Sequence, residues 1–559
     1  MSAAQSPPAH APVAVIGVLG AGTMGSGIAQ LAARAGARTL LYDPVVEALE
    51  RGLQRARKGL DIEAQKGRIE EQRAQEAKSA LQGVDELAAL APCELVIEAA
   101  PERLEIKHAL LAELCAVVAP DCVIATNTSS IPVSAVAAGA SCPERVVGMH
   151  FFNPAPLMRL VEVIAGLRSE ERALAIAEAT GRAMGKSVIR AADGPGFLVN
   201  RCNRPFGLEA LRLLAEQLSD IATIDRIVRQ GGGFPMGPFE LSDLVGVDTG
   251  LDVARSFYEL SFGEPRWRPS PIAARYVAAG LHGRKSGQGY FTYAPGVEHR
   301  PEDPDPLTPE RPEVGGGMLS ILGESVLAAE LRSAARNAGY KVTDGNERTP
   351  EELPALIVDC ATSGEAMEHH SGPRLLALTR GSLASLDPAG SSVGFHALPP
   401  FDRCALVECT RGPESSPTVV ARTERLFRAL GKHVVWVGDA PGLVLGRIVC
   451  QLVNEAAFAL GEGVGTAKDI DTGMVLGLNH PRGPLEWADM IGLDHVLAVI
   501  EALQREYGEE RYRPAPALRR NVLAGRLGAH RGAGFFDYRS GPSEVVRTGA
   551  SEPPPERGA

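Results

Sequence analysis

The sequence predicts an α/β chain in which an open sheet domain is followed by an all-helical domain, and the pair occurs twice, the second time in degenerate form. Three observations carry this. Long stretches match at a constant offset of 246: Gly148-Met149-His150 with Gly394-Phe395-His396, Gly185-Lys186 with Gly431-Lys432, Asp193 with Asp439, and Asp243 with Asp489. After one deletion the match resumes at 245, Arg266-Trp267-Arg268-Pro269 against Arg511-Tyr512-Arg513-Pro514. Gap-free matching on this scale indicates a repeated domain. Short apolar runs alternate with helical stretches as far as residue 192, and from Asp193 the pattern becomes helical almost throughout.

Taken in order, residues 1–12 read as a disordered tail. No charged residue occurs before Arg34, but the stretch has no basic leader and is dense in glycine, so it reads as neither signal peptide nor membrane span. Val13 to Leu19 reads as a buried strand, followed by a glycine turn and a helix starting near Gly25. Gly20, Gly22 and Gly25 are spaced G-x-G-x-x-G: the first permits a tight turn, the second lets backbone approach a pyrophosphate, and the third lets helix and strand pack closely. A second strand, Arg38 to Tyr42, ends at Asp43, where a carboxylate takes a ribose 2'-hydroxyl. No Arg or Lys stands at 44 to 46 to neutralise a 2'-phosphate, so NAD is favoured over NADP. Together these features predict a Rossmann-like dinucleotide-binding domain over 13–192. Inside it, residues 45–81 read as an insertion of two charged helices, a solvated hairpin. Leu95 to Glu98, Cys122 to Thr126 and Val146 to Met149 complete a doubly wound parallel sheet. An all-α domain spans 193–293, a linker 294–317, the second copy 318–438 and 439–540, and a disordered tail 541–559.

Composition narrows the function classes. With 559 residues, 45% hydrophobic and 22% charged, the chain is an ordinary globular protein of several domains. A formal charge of -11 argues against a nucleic-acid partner. Nine cysteines without a C-x-x-C pair point to reduced thiols in a cytoplasmic setting, with no disulfide, no metal and no membrane association expected. His150 leaves the sheet edge and Glu162 follows on the next element, an arrangement in which a carboxylate fixes the imidazole tautomer and raises its basicity. Structural His-Glu pairs are common, so the neighbouring dinucleotide loop is what gives this one chemical meaning.

Four segments now carry a resemblance. Val18-Leu19-Gly20-Ala21-Gly22-Thr23-Met24-Gly25, Asn127-Thr128-Ser129-Ser130, His150-Phe151-Phe152-Asn153-Pro154 and Gly194-Pro195-Gly196-Phe197-Leu198-Val199-Asn200-Arg201 are similar to those of the 3-hydroxyacyl-CoA dehydrogenases. The resemblance implies that His150 is the general base, Glu162 its partner, and Ser129 and Asn200 donors near the reacting oxygen. It implies an NAD site lined by Gly20, Gly22, Thr23, Met24, Gly25, Asp43, Glu102, Lys107, Ser129, Asn153 and Lys285, with Lys66 and Ser129 toward CoA. Bland alternatives stand beside these: Ser129 as a helix N-cap, Asn200 as an interdomain hydrogen bond, Lys66 and Lys107 as surface charges, Glu102 as a helix start. The doubled length, with Gly233 to Pro238 and Tyr507 to Pro514, is most similar to the 3-hydroxyadipyl-CoA dehydrogenases of phenylacetate degradation. A 3-hydroxybutyryl-CoA dehydrogenase is the close competitor, and a non-catalytic CoA-thioester binding or scaffold protein is the alternative of another class. For a dicarboxylic substrate, Arg201, Arg204 and Arg268 are candidate clamps, although ion pairs are the stronger reading.

The second copy departs from the pattern. Gly323-Glu324-Ser325-Val326-Leu327-Ala328 stands at the phosphate-loop position, Gly446 opposite Asn200, Pro399 opposite Asn153, and, by a looser alignment, Gly381 opposite Ser129. His396 and Glu408 remain. This half is expected to keep the fold without binding a dinucleotide. In the resembling family the helical domain is also a dimer surface, which implies an internal pseudo-dimer here and leaves homo-oligomers open.

Overall fold

A computed structural model of the chain describes residues 13–296, 298–305, 307–308, 317–344, 354–364 and 372–539. The expected tails at 1–12 and 541–559, and much of the expected linker, lie outside the described residues.

The chain divides into two compact units, Met1–Arg201 with Gly463–Leu478, and Cys202–Glu462 with Asn479–Ala559. The first is built on an eight-stranded sheet: β1 (Val15–Leu19), β2 (Arg38–Tyr42), β3 (Leu81–Val84), β4 (Leu95–Glu98), β5 (Val123–Thr126), β6 (Val146–Phe151), β7 (Leu160–Ala165) and β8 (Ser187–Ala192). The order is β3-β2-β1-β4-β5-β6-β7-β8. The central strands are continuous apolar runs because helices cover both faces. Ile16, Val18, Leu41, Ile97 and Val147 pack with Ile28 and Leu31 of the helix Thr23–Arg34 in one core, each such side chain contributing roughly 1.5–3 kcal/mol. The charged insertion forms the helices Val46–Gln65 and Glu71–Ala80.

The sheet differs from the parallel expectation at one place. The connection 152–159 is too short for a helical crossover, which takes roughly a dozen residues or more, so β7 returns antiparallel to β6. That reversal sets His150 opposite Glu162 in register. The strands β3, β7 and β8 went unread, β3 because only Leu81 of its four residues is buried. The helix after the glycine turn begins at Thr23, slightly ahead of Gly25.

The segment Gly463–Leu478 completes this unit. Its helix Ala467–Leu478 lies on β7 and β8, where a Cβ on Gly473 would stand 2.7 Å from Val199 and 3.0 Å from Ile189, and one on Gly477 would stand 2.8 Å from Leu160.

The second unit contains a seven-stranded sheet: β9 (Met318–Leu322), β10 (Lys341–Thr343), β11 (Leu356–Asp359), β12 (Arg374–Ala377), β13 (Val393–His396), β14 (Leu406–Arg411) and β15 (His433–Trp436). Its order is β10-β9-β11-β12-β13-β14-β15, with β13 and β14 antiparallel. Against β14 lies a piece of the first helical region: Ala405 N–H donates to Gln230 O at 3.1 Å, and Gly231 sits beside Leu445. The helices Arg204–Ala215 and Leu445–Gly461 also pack together. Between them Arg447 is fully buried, donating to Glu209 Oε1 (2.5 Å), Glu216 Oε1 (2.8 Å) and Oε2 (2.5 Å), Tyr507 Oη (3.0 Å) and Tyr512 Oη (2.6 Å).

Among the described residues no helix is long and apolar enough to cross a membrane, and no cluster of three or more His, Cys, Asp or Glu could hold a metal. Eight of the nine cysteines are buried, Cys115 being the exception; burial pushes Cys93 and Cys122 up to about 12. One pair is close: the sulfurs of Cys115 and Cys142 lie 2.6 Å apart, a proximity that their sequence separation conceals.

Candidate active site

The glycine turn lies where the strand order reverses, between β1 and its neighbours β2 and β4, the usual place for a ligand in an open α/β sheet. Gly20 has φ +96, and a Cβ there would meet Ala99 O at 2.6 Å; one on Gly25 would meet Gly20 O at 1.8 Å. Gly22 is different, because a Cβ there meets nothing within 4 Å. Gly20 and Gly25 are therefore demanded by the protein itself, and Gly22 opens onto empty space. Thr23, Met24 and Gly25 form the first turn of the helix, whose N–H groups have no intrahelical acceptors. Asp43 spans the turn, accepting from Ala21 N–H at 2.8 Å and from Val45 N–H at 3.0 Å. Each carboxylate oxygen keeps further lone-pair capacity for a hydroxyl donor.

A second cluster lies past β4 and β5. Glu102 Oε1 accepts from the Thr128 hydroxyl (2.7 Å), Ser129 N–H (2.9 Å), and Ser130 N–H (3.1 Å) and hydroxyl (3.0 Å). Burial works to raise the Glu102 carboxyl, but the Thr128 hydroxyl, the Lys107 charge and the two serines together hold it below its ordinary value. Lys107 is no surface charge: it is 1% exposed, 2.7 Å from Glu98 Oε1 and 3.4 Å from Glu102 Oε2. Glu98, also fully buried, accepts from the Thr126 hydroxyl at 2.6 Å and Ala100 N–H at 2.7 Å. Nor is Ser129 a helix N-cap, since the following helix runs Val133–Ala137 and its first N–H groups, Val133 and Ser134, donate to Asp193, each at 2.8 Å. The Ser129 side chain stands exposed at the end of the sheet.

His150 and Glu162 form the third group. Nδ1 lies 2.6 Å from Glu162 Oε2, while Oε1 accepts from Leu198 and Val199 N–H at 3.2 and 3.0 Å. The carboxylate thus holds the Nδ1–H tautomer, leaves Nε2 basic, and fixes the start of the helix Val199–Cys202 that carries Asn200. Phe152 and Phe197 flank the imidazole, with ring centroids 4.6 and 5.9 Å away. Asn153 is exposed on the loop after β6. That loop is fastened by the buried Lys186, which donates to Ala155 O and Met158 O, each at 2.6 Å.

The structure brings the glycine turn, Asp43, Glu102, Lys107, Ser129, His150, Asn153, Glu162 and Asn200 into one unit. Lys66 is exposed at the far end of the helix Val46–Gln65, about 20 Å along the axis from Gly52, which packs on the glycine turn at Ala21. Lys285 belongs to the other unit, where it pairs with Asp248 at 2.6 Å. Glu98 and Lys186 were missed. The signal for Lys186 was its repeat as Lys432, which makes the same kind of anchor to Cys404 O at 2.5 Å.

In the second copy the same frame holds a dismantled site. Strand register still sets His396 opposite Glu408. The carboxylate, however, gives both oxygens to backbone, Val444 N–H at 2.7 Å and Leu445 N–H at 3.0 Å, and His396 Nε2 turns to His495 Nε2 at 3.1 Å. Burial pushes Glu408 up to about 8, against the two backbone donors, and burial with the nearby His495 pulls His396 well below its ordinary value. Gly446 is obligatory here, since a Cβ would lie 2.1 Å from His396 Cε1. Strand register and the Asp439 cap on Leu383 place Thr379, not Gly381, opposite Ser129. At the turn, Ser325 caps the next helix through Ala328 N–H at 3.2 Å.

Residues 15–194 match the family described as 3-hydroxyacyl-CoA dehydrogenase, NAD binding domain, and residues 196–293 and 442–538 match its C-terminal domain. The chain is 36% identical over 511 residues to the 3-hydroxyadipyl-CoA dehydrogenase of Escherichia coli (strain K12), covering 91% of this chain and 98% of that protein. It is 41% identical over 280 residues to the 3-hydroxybutyryl-CoA dehydrogenase of Mycobacterium tuberculosis (strain H37Rv), covering 50% and 98%. Among solved structures, the 3-hydroxybutyryl-CoA dehydrogenase of Escherichia coli K12 superposes with a TM-score of 0.77 at 33% identity, covering 92% of this chain and 98% of that one.

Proposed function

We propose, from the premise that the chain belongs to the 3-hydroxyacyl-CoA dehydrogenase family, that its NAD-dependent oxidation of a 3-hydroxyacyl-CoA takes place in the N-terminal copy with His150 as the base. The observation that carries this is the buried dyad: Glu162 holds Nδ1 at 2.6 Å and so directs the basicity to Nε2. NAD, when bound, accepts the hydride from C3 of the (3S)-hydroxyacyl group. His150 Nε2 takes the hydroxyl proton, Glu162 steadies the imidazolium, and Ser129 and Asn200 donate hydrogen bonds to the oxygen.

The residues fit the cofactor. The open space at Gly22, the N–H groups of Thr23, Met24 and Gly25, and the spare acceptor capacity of Asp43 suit a pyrophosphate and a ribose. Glu102, Lys107 and Asn153 are proposed to line the rest, and Lys66 to meet CoA. Gly22→Val is expected to fold, because a Cβ there meets nothing within 4 Å, with only the small fall in melting temperature of a poorer N-cap, yet to weaken NADH binding by at least about tenfold through obstruction of the backbone approach. Fluorescence titration of NADH checks this; an unaltered dissociation constant contradicts it.

For the acyl group we favour 3-hydroxyadipyl-CoA, supported by the full-length likeness to the relative of that name, with 3-hydroxybutyryl-CoA as the alternative. A panel of 3-hydroxyacyl thioesters followed by NADH absorbance decides between them: kcat/KM highest for adipyl supports the assignment, and highest for butyryl overturns it. Aromatic or fatty acid catabolism in the cytoplasm is the setting that this chemistry and the cysteine usage support.

The second copy is proposed to bind no dinucleotide, since His396 bonds to His495, Glu408 bonds to backbone, and a serine cap occupies the turn. Calorimetric titration with NADH is expected to give one site per chain; two sites contradict this. Its proposed role is an internal pseudo-dimer of the two helical regions. The reading is supported by Arg447 between the copies and by the ion pair of Arg266 with Glu455 at 2.8 Å.

A further inference from the structure

The segment Gly463–Leu478 comes from the second helical repeat, yet it belongs to the first unit. Its helix Ala467–Leu478 lies against the residues that hold the dyad. A Cβ on Gly477 would stand 2.8 Å from Leu160, 3.4 Å from the Phe152 ring and 3.4 Å from Val199; one on Gly473 would stand 2.7 Å from Val199. Ahead of the helix, a Cβ on Gly465 would stand 2.8 Å from Leu198, and Ala192 N–H donates to Val464 O at 2.8 Å. Gly473 and Gly477 are four residues apart, on one face of the helix, so the helix backbone itself packs on these side chains. Glycine inside a helix costs stability relative to alanine. The close approach is kept in spite of that cost.

The residues under the helix are the ones that fix His150 and Glu162. Phe152 lies against the His150 ring with centroids 4.6 Å apart, and Leu198 and Val199 give their N–H groups to Glu162 Oε1 at 3.2 and 3.0 Å. Leu160 is two residues from Glu162 on β7 and so faces the same side of the sheet. All four are buried, and a close-packed interior transmits a displacement rather than absorbing it. The duplicate repeats the arrangement in the opposite sense. At the offset of 246, Ala192, Val199, Val464 and Gly477 become Gly438, Leu445, Leu218 and Gly231. Within the second unit Gly438 N–H donates to Leu218 O at 2.8 Å, and a Cβ on Gly231 would stand 3.2 Å from Leu445. The exchange is reciprocal: each sheet is backed by a helical segment of the other copy.

We propose that the helix Ala467–Leu478 positions the dyad of the first copy, with Gly473 and Gly477 as the positioning residues. By setting where Val199 and Phe152 stand, it keeps Glu162 Oε2 on His150 Nδ1 and so keeps Nε2 directed at the substrate hydroxyl. The degenerate copy then takes part in catalysis without a working site of its own. This inference rests on the reading of His150 as the base.

The test uses the full-length protein and whichever of 3-hydroxyadipyl-CoA and 3-hydroxybutyryl-CoA the wild type turns over faster. Gly473→Ala strengthens the helix by propensity but sets its methyl against Val199. It is expected to lower kcat by about tenfold or more, the scale of loss that a small misplacement of reacting groups brings, while NADH binds to each chain with a dissociation constant within about twofold of wild type. Adding Val199→Ala, which removes the methyl that is met, is expected to restore most of the rate. In a His150→Ala background, where no dyad is left to position, Gly473→Ala is expected to change the residual rate by less than about twofold. A wild-type kcat in both Gly473→Ala and the bulkier Gly473→Val overturns the proposal. So does an equal fold loss with and without His150, the mark of general damage, and so does a loss that Val199→Ala leaves in place. A His150→Ala variant with normal turnover instead removes the base reading of the preceding section, and this inference with it.

Discussion

His150→Ala is expected to lower kcat by about 10²- to 10⁴-fold, the usual contribution of a positioned general base, while the NADH dissociation constant stays near the wild-type value. The imidazole is 5% exposed, held by Glu162 through Nδ1 and flanked by Phe152 and Phe197, so it cannot be replaced by a solvent base without loss of position. The glycine turn that serves NAD belongs to a different strand end and is untouched. Glu162→Gln is expected to be less severe in geometry but still costly, because an amide can accept from Nδ1–H yet cannot stabilise an imidazolium by charge. Steady-state rates by NADH absorbance, with NADH affinity by fluorescence, read both quantities. A His150→Ala variant with normal turnover at saturating NAD removes the proposed base.

The second large effect is on stability. Arg447→Met is expected to lower the unfolding free energy of its unit by about 3–5 kcal/mol, the usual consequence of stripping one partner from a buried ion cluster. Glu209, also 0% exposed, would then keep only Arg212 and the Tyr512 hydroxyl near its charge. In the intact protein burial alone would raise the Glu209 carboxyl, but Arg447 and Arg212 outweigh it and hold it down to about 2, against an ordinary 4.5. A depressed carboxylate contributes stability that is present above its unfolded value and lost as pH falls toward its folded one. The wild type is therefore expected to lose stability between pH 4.5 and 2, and the variant to show a shallower loss over that window. Denaturant midpoints measured across it check both the offset and the slope. A Glu209→Met, Arg447→Met double variant is expected to recover part of the loss, since the fully buried Glu209 charge leaves with its partner and only the part-exposed Glu216 and Arg212 lose one. Equal stability of the single and wild-type proteins contradicts a structural role for the cluster.

Much of this was legible in the sequence where chemistry is local. The strands β1, β2 and β4 to β6 are continuous apolar runs, and glycine spacing marked the turn between β1 and its helix. Strand β8 was not legible, because only two of its six residues are buried and they do not form an apolar run. Strand β7, Leu-Val-Glu-Val-Ile-Ala, carries its glutamate in the middle of a buried run, and the short connection that reverses it has that meaning only once β7 is recognised as a strand. That Lys107 is buried, rather than the surface charge weighed as the alternative to a cofactor contact, was not legible because its partners, Glu98 and Glu102, meet it only once β4 and the following helix are folded. The fate of the second dyad was hidden for a similar reason. The spacing of His396 and Glu408 is conserved between copies, and the ring is turned away by His495, 99 residues along the chain, with Gly446 providing the room. Repeats record where residues stand, and long-range packing decides which way they point.

The most direct measurement is the structure of the full-length protein with NAD and a 3-oxoacyl-CoA, a complex that cannot turn over. The account predicts one NAD, over Gly20 to Gly25, and the 3-oxo oxygen within about 2.6–3.2 Å of His150 Nε2. Dinucleotide bound at Gly323 to Ala328, or a 3-oxo oxygen beyond reach of His150, contradicts it.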